Sequence, residues 1–168
     1  MTTLASTPGR RTHLPGLGRR GEGWVVLQGV LFVIVIGCGL AGPLWSGPAR
    51  AVGAFTGVGL VALGVALIAA GVLALRRQLT AFPMPVPGGR LIEGGVFGLV
   101  RHPMYGGGVI AALGWGLALA SPMALVGAIV LGVFFDLKSR REEAWLGDQF
   151  AGYAAYRGRT RRLIPWIY

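Results

Sequence analysis

Two uninterrupted apolar runs constrain this chain more than any other feature. Trp24–Trp45 carries a tryptophan at each end, as segments do that reach both interfaces of a bilayer. Ala51–Leu75 holds no charged residue and is stopped by Arg76 and Arg77. At about 1.5 Å of rise per residue, such a run crosses the ~30 Å of a hydrocarbon core with some tilt. Charged residues make up 13% of the 168-residue chain, against about 25% in soluble domains. The expected fold is an all-α integral membrane protein.

Two further spans follow. Pro103 is a favourable first helical residue, because proline lacks the amide that would be orphaned there. A helix is expected from Pro103 to Ala120. Ser121 and Pro122 then read as the N-cap and first residue of a fourth helix, Pro122 to about Phe135, which makes a hairpin with almost no loop. About four transmembrane helices result. Between the second and third, 78–101 contains three prolines and several glycines and is expected to be a structured loop at the membrane surface. Residues 1–23, rich in Gly, Pro, Thr and Arg, are expected to be a disordered tail. Beyond Asp136 the fourth helix should leave the bilayer and be followed by a short amphipathic helix, with Leu137, Trp145, Leu146, Phe150 and Tyr153 at helical spacing among charges. Small residues four apart (Gly53/Gly57, Ala112/Gly116, Ala124/Ala128/Gly132) permit close helix packing.

The net charge of +10 does not point to nucleic acid, because the basic residues flank the apolar runs. Of sixteen Lys and Arg, only Arg50 falls on the side opposite the N-terminal tail. By the positive-inside rule both termini are cytoplasmic in a multi-pass protein of the cell membrane. The single cysteine, Cys38, excludes an intrachain disulfide, and with only two histidines, one of them His13 in the tail, no metal site is expected.

Two clusters could carry chemistry. Arg101, His102 and Tyr105 stand at the start of the third helix; ionisable groups at that depth are functional candidates, although an interfacial arginine and tyrosine also serve as plain anchors. Lys138, Glu142 and Glu143 stand past the end of the fourth. Lys138 and Glu142 are one turn apart and could be no more than a surface pair, but adjacent Glu142 and Glu143 point in different directions, so one should look inward. The hairpin brings both clusters to the same side. A cation, an imidazole, a phenol and a carboxylate beside a glycine-rich loop suit a zwitterionic ligand. The third basic group, in 153–165, is expected to attract anionic lipid.

The pattern "GGRLIEGGVFGLVRHPMYGG", a helical hairpin, then "RREEAWL", "FAGYAAYRGR" and "LIP" resembles the isoprenylcysteine carboxyl methyltransferase family of integral membrane enzymes, with the related phospholipid methyltransferases. The likeness covers about 79–166. It implies a three-part chain: the tail 1–23, two N-terminal helices in 24–75, and a methyltransferase core in 76–168 with a cytoplasmic cofactor loop. It also implies S-adenosylmethionine as cofactor, held by Gly89, Arg90, Leu91, Ile92, Phe97, His102, Pro103, Met104, Tyr105 and Glu142. Glu142 would take the cofactor's ammonium or its ribose hydroxyls. Lys138, where relatives have arginine, would orient a lipophilic acceptor such as an isoprenylcysteine carboxylate, entering from membrane lipid; lysine cannot grip a carboxylate bidentately. Lys138 and Glu142 are then the candidate catalytic pair, in a dry site that works by positioning. A phospholipid amine or a small thiol are alternative acceptors on this scaffold, and a non-catalytic membrane protein that has lost the cofactor is the alternative from another class.

Overall fold

A computed structural model describes residues 14–41, 45–165 and 167–168. Residues 1–13, with His13 and most of the expected disordered tail, lie outside the described residues, as do 42–44 at the end of the first expected span. Five α-helices follow in order: α1 Glu22–Leu40, α2 Pro48–Leu75, α3 Pro103–Ala118, α4 Pro122–Gln149 and α5 Tyr153–Arg159. Short 3-10 turns lie at Arg76–Gln78 and Gly95–Gly98. Among the described residues there is no strand, only one parallel bridge between Val100 and Arg161.

The all-α membrane architecture holds, and three of the helices (α1, α2 with the turn after it, and α4) are long and apolar enough to cross a bilayer. The outward faces of α1, α2 and α4 expose Val33, Phe55, Val58, Leu73 and Ile129. Such side chains are stable only against lipid or another apolar surface. The expected third span differs: α3 has 16 residues, about 24 Å, and falls short of a full crossing. Its far end is fixed by the hairpin. Ala120 adopts φ 55°, Ser121 N donates to Gly116 O at 2.9 Å, and Ala120 N donates to Leu117 O at 3.1 Å. That pair of bonds is the Schellman closure of a helix, here with alanine in the left-handed position usually given to glycine.

Ser121 caps α4 as its sequence position suggests, with its Oγ accepting from Ala124 N at 3.2 Å. The same hydroxyl donates to Cys38 O on α1 at 2.8 Å, so this side chain ties α4 to α1 while its backbone amide closes α3. Trp24, Val35, Ala112, Ala128, Leu131, Phe134 and Phe135 form the core between α1, α3 and α4. On the other flank, α2 packs on α3 through glycines. A methyl built on Gly64 would sit 2.4 Å from Gly107 O, and one on Gly57 would sit 2.5 Å from Gly114 O. Nothing larger than hydrogen fits between these backbones.

The second half of the expected disordered tail is ordered by contacts. Trp24 Nε1 donates to Pro15 O at 3.2 Å, and Gly23 N to Leu17 O at 2.8 Å. The Arg20 guanidinium lies 4.4 Å from the Phe82 ring centroid. A buried indole needs an acceptor, and the tail supplies it while packing on the loop between α2 and α3.

Candidate functional site

The chain from Leu79 to Gly94 has no regular backbone pattern to hold it, and side chains do so instead. Gln78 Oε1 accepts from Arg90 N at 2.5 Å, and Gln149 Nε2 donates to Val86 O at 3.0 Å. A methyl on Gly89 would meet Gln78 Oε1 at 2.9 Å and Val86 O at 3.0 Å, so this glycine lets the turn close. Pro83 is fully buried. The next stretch is pinned by the C-terminal tail, with Arg101 N donating to Arg161 O at 2.8 Å and His102 N to Arg162 O at 3.0 Å. Tyr156 Oη donates to Phe97 O at 2.8 Å. Burial pushes the Tyr156 phenol up to about 12, so it remains a neutral donor at physiological pH.

The two adjacent glutamates of α4 have separate environments. Glu143 is buried and receives Arg101 Nε at 2.8 Å and Arg162 Nε at 3.2 Å; His102 Nε2 lies 3.4 Å away. Arg101 also donates to the carbonyls of Arg157 and Thr160. Arg162 reaches Asp136 at 3.0 Å, which in turn accepts from Tyr168 Oη at 2.9 Å. This network bonds the tail to α4 and to the start of α3. Glu142, one residue earlier, faces elsewhere. It accepts from Tyr105 Oη at 2.6 Å and lies 3.8 Å from His102 Nδ1. Among the described residues no arginine or lysine approaches it within ion-pair distance, and its side chain keeps 24% exposure. Glu143 is thus neutralised within the protein by two guanidinium groups, and Glu142 is not.

His102 is buried and stacks on Tyr105 (centroids 5.3 Å apart, planes 3° apart), which stacks on Phe135 (4.7 Å, 10°). The three rings make one wall running from the loop into the helices. Lys138 is 2% exposed. Its ammonium donates to Gln28 Oε1 of α1 at 2.5 Å and sits 5.2 Å from the Tyr105 ring centroid.

These groups surround a cavity of about 450 Å³, within the usual range for a small-molecule site. Every residue assigned to the site from the sequence lines it: Gly89, Arg90, Leu91, Ile92, Phe97, His102, Pro103, Met104, Tyr105, Lys138 and Glu142. Glu143 does not, so the geometry picks Glu142 from the pair that the sequence leaves open. Arg101 also turns inward rather than anchoring at the interface. Sequence reasoning missed Gln28, Phe32, Gln78, Phe135 and Tyr153, which line the same cavity. For Gln28 a signal existed, an amide inside an otherwise apolar run; for the aromatic residues none did, since core and cavity positions on a membrane helix have the same composition. One buried polar atom on the cavity wall, Tyr153 Oη, has no hydrogen-bond partner, and an unpaired buried group of this kind calls for an explanation; His102 Nε2 is turned to Glu143 instead.

With the geometry fixed, comparison with known proteins gives one positive result. The phospholipid methyltransferase family matches residues 52–152, more than half of the chain and inclusive of every candidate site residue above except Gln28, Phe32 and Tyr153. None of the curated proteins compared with the chain matches it.

Proposed function

This chain belongs to the phospholipid methyltransferase family, and on that premise we propose that it uses S-adenosylmethionine to methylate a lipophilic acceptor at the cytoplasmic face of the cell membrane. One observation carries the reading. A carboxylate that no arginine or lysine neutralises (Glu142), an imidazole, a phenol and a tight backbone loop converge on one cavity that opens among membrane helices.

The residues present fit the cofactor. It is a zwitterion with a cationic sulfur, a ribose and an adenine, and the cavity offers an anion, an unpartnered phenol (Tyr153) and an aromatic wall. When bound, it supplies a methyl group activated by the positive sulfur. In the loop Gly89–Ile92 the amides of Gly89 and Arg90 are taken by Val86 O and Gln78 Oε1, so Leu91 and Ile92 would receive its flat and polar parts, with Phe97, Pro103 and Met104 as apolar walls. His102 and Tyr105 would hold the amino-acid end. Glu142 would take the ammonium or the ribose hydroxyls, already oriented by Tyr105 Oη.

Lys138 then fixes the polar end of the acceptor. Its ammonium lies on the α1 side of the cavity, bonded to Gln28 and close to the Tyr105 ring, where burial makes one charge act strongly. Rate acceleration comes from holding the reacting groups in line and excluding water. We favour an acceptor that carries an anion, such as an isoprenylcysteine carboxylate or a similar lipid-like acid. The amine of a phospholipid headgroup is the second reading, favoured by the description of the matching family.

Isothermal calorimetry in detergent tests the cofactor assignment. S-adenosylhomocysteine should bind the purified protein, and Glu142→Gln and His102→Ala should each weaken it about tenfold or more, the loss expected when a hydrogen bond to a charged group is removed. Wild-type affinity in both variants would overturn the assignment.

A further inference from the structure

Helix α1 lies outside the residues matched by the family, yet it contributes Gln28 and Phe32 to the cavity wall. A glutamine in the middle of a lipid-facing helix is costly unless its amide is satisfied inside the protein. Here the amide oxygen accepts from Lys138 Nζ at 2.5 Å.

Lys138 is the single lysine of the chain. It is almost completely buried, and among the described residues no carboxylate lies within ion-pair distance of it. An ammonium has three donors on a flexible four-carbon stem. Gln28 engages one donor, and the Tyr105 ring, 5.2 Å away, offers its electron-rich face. Lys138 lines the cavity, where its remaining donor capacity can meet a ligand. With its carbonyl committed to the ammonium, the Gln28 amide turns an NH2 away from it. This corner of the site is therefore composed of donors and asks for an acceptor group from its ligand.

Building on the reading of Lys138 as the group that receives the acceptor, we propose that Gln28 is a positioning residue. Its hydrogen bond fixes the Lys138 ammonium at the apolar end of the cavity, so that α1, a helix outside the family match, sets how this chain recognises the oxyanion of its substrate. The neutral amide orients the cation without cancelling its charge; a carboxylate in the same place would cancel it.

Because there is one lysine, protein grown on lysine labelled with ¹³C at Cε gives one side-chain resonance to follow in the full chain in detergent. Two probes separate the sources of an oxyanion: N-acetyl-S-farnesylcysteine carries a carboxylate, and dioleoylphosphatidylethanolamine in mixed micelles carries a phosphate. In the wild type, one or both should shift the Lys138 resonance saturably. Gln28→Leu should move the resonance of the ligand-free protein and weaken the responding probe about tenfold, while S-adenosylhomocysteine affinity stays within about twofold. Gln28→Glu should keep the resonance narrow but abolish the probe response, because the new carboxylate neutralises the ammonium. The proposal is overturned if neither probe shifts the wild-type resonance, if Gln28→Leu leaves it unmoved, or if probe and cofactor-product affinities fall together, which would mark general damage. Should the wild type bind no S-adenosylhomocysteine, the cofactor assignment fails on its own, and the Lys138 resonance with and without Gln28 still decides this one.

Discussion

Glu142 and Glu143 illustrate how much one step along a helix changes. Successive residues point about 100° apart, which turns one carboxylate into a buried cluster and the other into a cavity. Glu143 balances Arg101 and Arg162. Removing its charge strands the buried Arg101 guanidinium, while Arg162 keeps Asp136, so Glu143→Gln should cost about 3–5 kcal/mol and lower the thermal midpoint in detergent markedly. Glu142→Gln breaks only one bond to a charged acceptor, from Tyr105. It should change stability by about 1–2 kcal/mol at most and act mainly on S-adenosylhomocysteine binding. A scan of both variants by differential fluorimetry and calorimetry checks the split; equal loss of stability would refute it. In the sequence the pair was visible as two glutamates of which one should turn inward. Which one faces the ligand depends on where Arg162 returns, twenty residues later, and no local pattern encodes that.

At the scale of elements, the α2–α3 seam decides whether the site is assembled, because α3 carries His102 and Tyr105 at its start. Gly57 and Gly64 on α2 meet Gly114 and Gly107 on α3 at backbone contact. The repeat is seven residues, two turns of each helix, whereas the sequence drew attention to pairs four apart. Of those, Gly57 belongs to this seam, Gly116 packs on Leu125, and Ala124 and Ala128 are completely buried. Gly64→Ala places a methyl 2.4 Å from a carbonyl oxygen and should cost about 1–3 kcal/mol by overpacking. Gly59→Ala, whose methyl meets nothing within 4 Å, should be neutral or slightly stabilising, since alanine is the better helix former. Thermal midpoints of the two variants in one detergent test this directly. The C-terminal segment is the other element whose role changed. Its basic residues suggested a tail attracted to lipid. Instead Arg162 is bonded into the Glu143 cluster, and Leu163 O would lie 2.5 Å from a methyl on Gly106, so the segment straps the first turn of α3.

For the whole molecule, the uneven charge is the strongest organising fact. The loop after α2, the start of α3, the end of α4 and α5 meet at one end through the ion pairs and backbone bonds of Arg101, His102 and Tyr156. Arg50, near the start of α2, is at the other. Basic residues are retained in the cytoplasm, so the site should face it. In a Cys38→Ser background, Ser46→Cys should react with a membrane-impermeant maleimide added outside intact cells, and Gly158→Cys should react only after lysis; the reverse pattern would turn the molecule over.

The sequence by itself determined the membrane class, the order of the helices, the proline and serine that set the hairpin, and the two charged clusters that the hairpin brings together. Those are consequences of apolar length, backbone capping and charge, all written within a few neighbouring residues. Only the tertiary structure decided which glutamate is free, that α1 reaches the site through Gln28, that the tail straps α3, and that α3 stops short of a full span. Each depends on segments far apart in the chain approaching within hydrogen-bond distance, and a contact of that kind has no period or composition of its own.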